Sequence, residues 1–158
     1  TEDNQIIFPL ADGLAFSCKD IVAPSLFNIF KEIRDELYPS LEVQDIIKRS
    51  SLESWAVQGV FLFNAFLTVE QGSPLSHSTI WPDFSKKVLE ELNKKDGLIF
   101  LIWGRSAESL IREHIDDSKH IVLKAAHPSP LSYRLFKGCG HFKTCNEILK
   151  EPIEWRIL

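Results

Sequence analysis

At 158 residues the chain has the length of one ordinary domain, enough to bury a real core. A hydrophobic content of 44%, a charged content of 25% and a net charge of −4 fit a soluble globular protein and exclude a broad cationic coat for nucleic acid. They leave room for a protein that grips a few phosphates through backbone N–H groups and hydroxyls. No run of about 18 apolar residues offers a transmembrane helix, and no basic n-region precedes an apolar stretch as in a secretory signal. The chain opens on Thr1 rather than Met, so a fragment or a processed product is expected.

In chain order, Pro24-Ser25 reads as a helix start, followed by Leu26, Ile29, Phe30, Ile33 and Leu37 at helical spacing. The dense apolar run over 59–69 predicts a strand buried on both faces. Phe84, Val88, Leu89 and Leu92 mark a second amphipathic helix, and 98–103 a further buried strand ended by Gly104. Residues 106–114 read as helix, 121–123 as a short strand and 142–149 as a last helix. Strands alternating with helices imply a parallel sheet covered on both faces, an α/β fold of three αβα layers. Ligands in such folds bind outside the carboxyl ends of the strands. That rim carries 64–68, Gly104-Arg105 and 127–132.

The run Ala126-His127-Pro128-Ser129-Pro130-Leu131-Ser132 stands out. Its prolines remove backbone donors and fix φ, so a strand cannot continue and a stiff loop remains. His127 there is either a satisfied structural histidine or a neutral imidazole donor aimed at an oxygen that becomes anionic. Asn64, inside an apolar run, is either a structural amide bonded to backbone or a reader of a planar base edge. Phe16 is core or a stacking platform. Cys18, Cys139 and Cys145 are too sparse for a disulfide framework and suit a reducing compartment. Cys139-x-His141-x3-Cys145 supplies three ligands and no Cys-x2-Cys knuckle, so packing rather than zinc is expected of it. Gly104-Arg105-Ser106-Ala107-Glu108 does not fit the Gly-x-Ser-x-Gly elbow of an α/β hydrolase.

Taken in order, these strings resemble the uracil-DNA glycosylase family. The matching residues are Gly13-Leu14-Ala15-Phe16-Ser17, Trp55-Ala56-x-Gln58-Gly59-Val60 through Asn64-Ala65-x-Leu67-Thr68-Val69, Ser76-His77, Trp103-Gly104, His127-Pro128-Ser129-Pro130-Leu131-Ser132, and Gly138-Cys139-x-His141-Phe142 with Asn146. The resemblance implies one domain over 1–158 with a central, mainly parallel four-stranded sheet. It implies that Phe16 stacks on a flipped uracil, that Asn64 reads its Watson–Crick edge and that His127 stabilises the departing base. Leu131 would wedge into the vacated stack. Pro24, Ser25, Gly104, Ser129 and Ser132 would hold the DNA backbone, with Arg105 adding a phosphate contact where the family more usually has serine. The implied partners are uracil-containing single- and double-stranded DNA and a proteinaceous glycosylase inhibitor. The implied protein is a cytoplasmic monomer, nuclear or mitochondrial in a eukaryote, with no metal, cofactor or membrane.

The chain departs from the family at one place. Family members carry a Gly-Gln-Asp-Pro-Tyr loop shortly before the Gly13 segment, whose aspartate positions water and whose tyrosine excludes thymine. Here Thr1-Glu2-Asp3-Asn4-Gln5 stands instead. Asp3 lies ten residues before Gly13, the family spacing for the catalytic aspartate, but lacks the proline and tyrosine. The family's strand before that loop is central to the sheet, and its omission exposes paired-strand edges. The expectation is therefore a domain incomplete at its N-terminal side, with the catalytic aspartate upstream of Thr1. The alternative is a non-catalytic glycosylase-like protein that binds DNA or a replication partner.

Overall fold

The computed structural model describes residues 11–73 and 75–158. Helix α1 (Pro24–Leu37) forms where the apolar spacing demands it, with Pro24 in the first turn. A proline there gives up only an N–H that would have no partner in the helix. Its inner stripe of Leu26, Ile29, Phe30 and Ile33 is fully buried, each side chain contributing roughly 1.5–3 kcal/mol relative to exposure. Short helices α2 (Val43–Ile46) and α3 (Glu53–Ala56) follow. The second of these sets Trp55 edge-on against Trp155 and aims its Nε1–H at the Trp155 carbonyl, 3.0 Å away.

After helix α4 (Pro82–Leu92) come β1 (Ile99–Trp103), α5 (Arg105–Arg112) and β2 (Ile121–Ala125). The two strands pair in parallel, Ile99 opposite Ile121 and Trp103 opposite Ala125. Helices α6 (Tyr133–Phe136) and α7 (His141–Ile148) complete the order. Alternation along β1 divides the core between two helical layers. Ile99, Leu101 and Trp103 pack on the cluster built by α1 and α7. Phe100 joins Ile102 on the opposite face, against Leu89 of α4 and Ile111 of α5. The α/β class with helices on both faces is as expected, and the sheet is small. No helix of the described residues is long and apolar enough to cross a membrane.

Two expectations about strands are corrected. The run 59–69 forms no regular strand: among the described residues it has no strand partner, and Phe61, Asn64, Leu67 and Val69 are exposed rather than buried. A strand exists by pairing its backbone with a neighbour, and none of the described residues supplies one to this run. For the same reason β1 is only partly covered, with Ile102 its one buried residue. The described residues thus pair two strands, where the resemblance implied four with the first missing.

Candidate functional site

The carboxyl ends of β1 and β2 meet at Gly104, whose N–H donates to the Ala125 carbonyl at 3.0 Å. Gly104 sits at φ +95°, and a Cβ there would stand 3.2 Å from the His127 Cβ. Glycine is required on both counts, and its lack of a side chain lets the loop after β2 fold over the end of β1.

That loop is braced from inside. Pro128 is fully buried, and its carbonyl accepts a 2.8 Å bond from the Asn28 Nδ2 of α1. The Ser132 hydroxyl donates to the His127 carbonyl at 2.6 Å and lies 2.9 Å from the Ser129 hydroxyl. The Ser129 N–H donates to His127 Nδ1 at 3.1 Å. A ring nitrogen that accepts from a backbone amide carries no proton, so the imidazole is neutral with its hydrogen on Nε2. Partial burial with no anion beside it pushes His127 below its ordinary pKa, which favours the same form. The geometry leaves a neutral N–H donor, already oriented, facing outward from the rim.

The Phe16 ring faces it, with centroids 5.6 Å apart, and lies equally close to Trp103. Phe16 holds φ +65°, a conformation that strains any residue but glycine by about 1–3 kcal/mol. Its turn is held by Ser17, whose hydroxyl donates to Asp12 Oδ2 at 2.5 Å and accepts from the Leu52 N–H at 2.9 Å. The Ala15 N–H bonds the Leu62 carbonyl at 3.2 Å, which ties the Phe16 turn to the segment carrying Asn64. Asn64 is exposed and not the buried core amide expected from the apolar run. Its amide has no hydrogen-bond partner among the described residues.

The remaining residues fall around this pair. Pro24 and Ser25 begin α1, Arg105 begins α5 and is exposed, and Leu131 stands wholly in solvent at 101% relative exposure. Asp3 lies outside the described residues. Asn28 was not singled out from sequence, and His141 and Thr68 were named there without the roles the fold gives them. Asn28 braces the histidine loop, and its signal was a polar residue within the apolar stripe of α1. Buried His141 accepts the Trp103 indole N–H at 3.0 Å, fixing the ring behind Phe16. Cys145 of the same run is buried in the α1/α7 cluster. Thr68 binds His77 Nδ1 at 2.7 Å and accepts the Trp81 indole N–H at 2.8 Å.

A neutral imidazole donor thus lies beside an aromatic ring at the carboxyl rim of a parallel α/β sheet, where ligands of such folds bind. Comparison with known proteins gives the family. The model of the uracil DNA glycosylase superfamily matches residues 4–150, and this chain belongs to that superfamily. A Proteus mirabilis uracil-DNA glycosylase is 46% identical over 156 residues, covering 93% of this chain and 67% of the relative. A Campylobacter jejuni uracil-DNA glycosylase is 45% identical over 156 residues, covering 94% and 65%. The crystal structure of mimivirus uracil-DNA glycosylase aligns with a TM-score of 0.77 at 28% identity, covering 94% of this chain and 61% of that one. A mimivirus UNG variant in complex with UGI aligns at 0.79 and 28% identity, covering 94% and 62%. The chain spans about two thirds of the length of the relatives it matches.

Proposed function

We propose that the chain is the uracil-binding and DNA-gripping part of a uracil-DNA glycosylase, which flips uracil out of DNA and hydrolyses its N-glycosidic bond to begin base-excision repair. The observation that carries this reading is the oriented Nε2–H of neutral His127 facing Phe16. Uracil stacks on Phe16 and meets the Asn64 amide along its Watson–Crick edge. As the bond from the sugar to the base breaks, its electron pair passes to the ring and charge collects on the oxygen that His127 faces. Water supplies the new bond to the sugar carbon, and the base leaves as an anion that then takes a proton. An aspartate that positions this water is assigned upstream of Thr1, with Asp3 in its place if the register holds. Leu131 fills the gap left in the stack. Pro24, Ser25, Gly104, Ser129 and Ser132 hold the strand through short polar contacts, and Arg105 adds a charged one. This mode needs few lysines and agrees with a net charge of −4. The partners proposed are single- and double-stranded DNA containing uracil and, by analogy with the UGI-bound relative, a proteinaceous inhibitor. The setting proposed is a monomer in the cytoplasm, or in the nucleus or mitochondrion of a eukaryote.

The test is uracil release from a labelled single-stranded oligonucleotide, run on the 158-residue chain and on a version extended upstream with the relatives' sequence. Release by the chain alone assigns the water-positioning role to Asp3. Release only by the extended version places that aspartate upstream. Tight DNA binding with release by neither version overturns the catalytic reading in favour of a non-catalytic relative, which the missing Asp-Pro-Tyr favours.

A further inference from the structure

The activity proposed above makes no use of the last turns of α1. There Glu32 and Glu36, one turn apart, meet the thiol of Cys139 in the short link between α6 and α7. One ligand atom from each of the three lies within 4.8 Å of the other two. Glu32 is buried, and Glu36 and Cys139 are half-buried.

The backbone holds each carboxyl group by one oxygen. Glu32 Oε1 accepts the Gly138 N–H at 2.7 Å, and Glu36 Oε2 accepts the Lys143 N–H at 2.8 Å. The other two oxygens are differently placed. Glu36 Oε1 is reached by the Cys139 thiol at 3.8 Å, and buried Glu32 Oε2 has no hydrogen-bond partner among the described residues. No lysine or arginine forms a salt bridge with either carboxylate among those residues. Two acids drawn together out of water need something positive between them. A proton joins two donors, whereas a metal ion joins all three and leaves no orphaned oxygen.

We propose that Glu32, Glu36 and Cys139 form a structural site for a divalent ion of the zinc type, which clamps the start of α7 to α1. The donor set selects the ion. One thiolate and two carboxylates suit zinc, whereas Mg2+ and Ca2+ ask for more oxygens. Zinc lies about 2.0–2.3 Å from such ligands, which places tetrahedral partners about 3.5 Å apart. The Cys139–Glu36 pair, at 3.8 Å, is already near that separation. On binding, the thiol gives its proton to solvent and the sulfur lone pair goes to the metal. Half-burial of Glu36 and Cys139 leaves a path for entry and a fourth position for water. The Cys139-x-His141-x3-Cys145 spacing does not display this set, because the other ligands lie on α1, Glu36 being 103 residues away. The inference rests on contacts between α1 and the start of α7 and stands whether or not the chain excises uracil.

The probes are Zn2+ alone and Co2+ as its coloured substitute. Each is titrated into untagged, reduced, chelator-treated protein, using the 158-residue chain and the version extended upstream. The expected result is one equivalent of Zn2+ taken up from micromolar solution against millimolar Mg2+, with a rise in melting temperature. Co2+ should give a thiolate-to-metal absorption band that Cys139→Ala removes and that Cys18→Ala and Cys145→Ala leave. Glu36→Gln keeps an acceptor for the Lys143 N–H and should weaken Zn2+ binding at least tenfold. If the metal-free protein is unfolded, Zn2+ that folds it counts equally in favour. The proposal is overturned if Zn2+ neither binds nor folds either version, or if Cys139→Ala keeps the cobalt band. It is also overturned if Glu36→Gln binds Zn2+ as tightly as the native chain. Uracil release is not a readout of this test, so its failure leaves the glycosylase reading untouched.

Discussion

His127 shows how one backbone amide decides the chemistry of a side chain. The Ser129 N–H occupies Nδ1, so the outward nitrogen carries the proton, and partial burial lowers the pKa so that the neutral form persists below the ordinary imidazole value. Nitrogen-15 shifts of the ring should report protonated Nε2 and bare Nδ1 at neutral pH, with the ring taking its second proton at a lower pH than a free imidazole does. His127→Leu should lower single-turnover excision by about 10²–10³-fold, as loss of an oxyanion donor does, with oligonucleotide binding changed little. A defect confined to binding would remove its assignment to the chemical step. Asn64 is the other reader. Its amide offers a donor and an acceptor side by side, and Asn64→Asp leaves only acceptors, matching the exocyclic amine of cytosine. Cytosine release measured beside uracil release should rise in this variant, and unchanged rejection of cytosine would count against edge reading.

At the scale of elements, the loop after β2 is stiff because α1 holds it. Asn28→Ala strips the Pro128 carbonyl of its buried partner and should cost about 1–3 kcal/mol in urea unfolding. A shift much smaller than that would mean the loop is held elsewhere. Leu131 has no such anchor and should matter only to substrate. Leu131→Ala should leave stability alone and slow excision from duplex roughly tenfold more than from single strands, the energy of burying one leucine in a vacated stack. Equal losses on both substrates would end the wedge assignment. Much of this framework was legible in the sequence. Helix α1 announces itself through the spacing of Leu26, Ile29, Phe30 and Ile33, and the prolines of 126–132 announce a loop. The run 59–69 misled because apolar content predicts a strand only when a neighbour is present to pair with it. Helices α2, α3 and α6, four residues each, are too short to show a period. The left-handed turn at Phe16 is set by bonds from Ser17 to Asp12 and Leu52 that a linear sequence does not display.

The whole molecule is held together across its incomplete sheet by α1, and one contact makes that hold depend on pH. Glu32 and Glu36 stand one turn apart on α1 and in sequence look like a solvated face. In the fold both carboxylates turn inward. Glu32 Oε1 accepts the Gly138 N–H at 2.7 Å and Glu36 Oε2 the Lys143 N–H at 2.8 Å, joining α1 to the start of α7. Glu32 is 1% exposed, and its Oε2 has no partner. Burial, followed by the neighbouring Glu32, pushes the Glu36 carboxyl up from 4.5 to about 7, and a proton on Glu36 gives Glu32 Oε2 the donor it lacks. The folded state therefore holds a proton that the unfolded chain has released by pH 5 or so. Stability from this pair is complete below about pH 4.5 and is lost as pH rises through about 7. Because Glu36 is only half buried, the loss should be of order 1 kcal/mol rather than the full value of the shift. Thermal melts at pH 5.5 and 8.5 should differ in the native chain by a few degrees beyond the change in Glu36→Gln. That variant's amide donates to Glu32 and accepts from Lys143 at every pH. An equal pH dependence in the two proteins would show that Glu36 does not carry the proton.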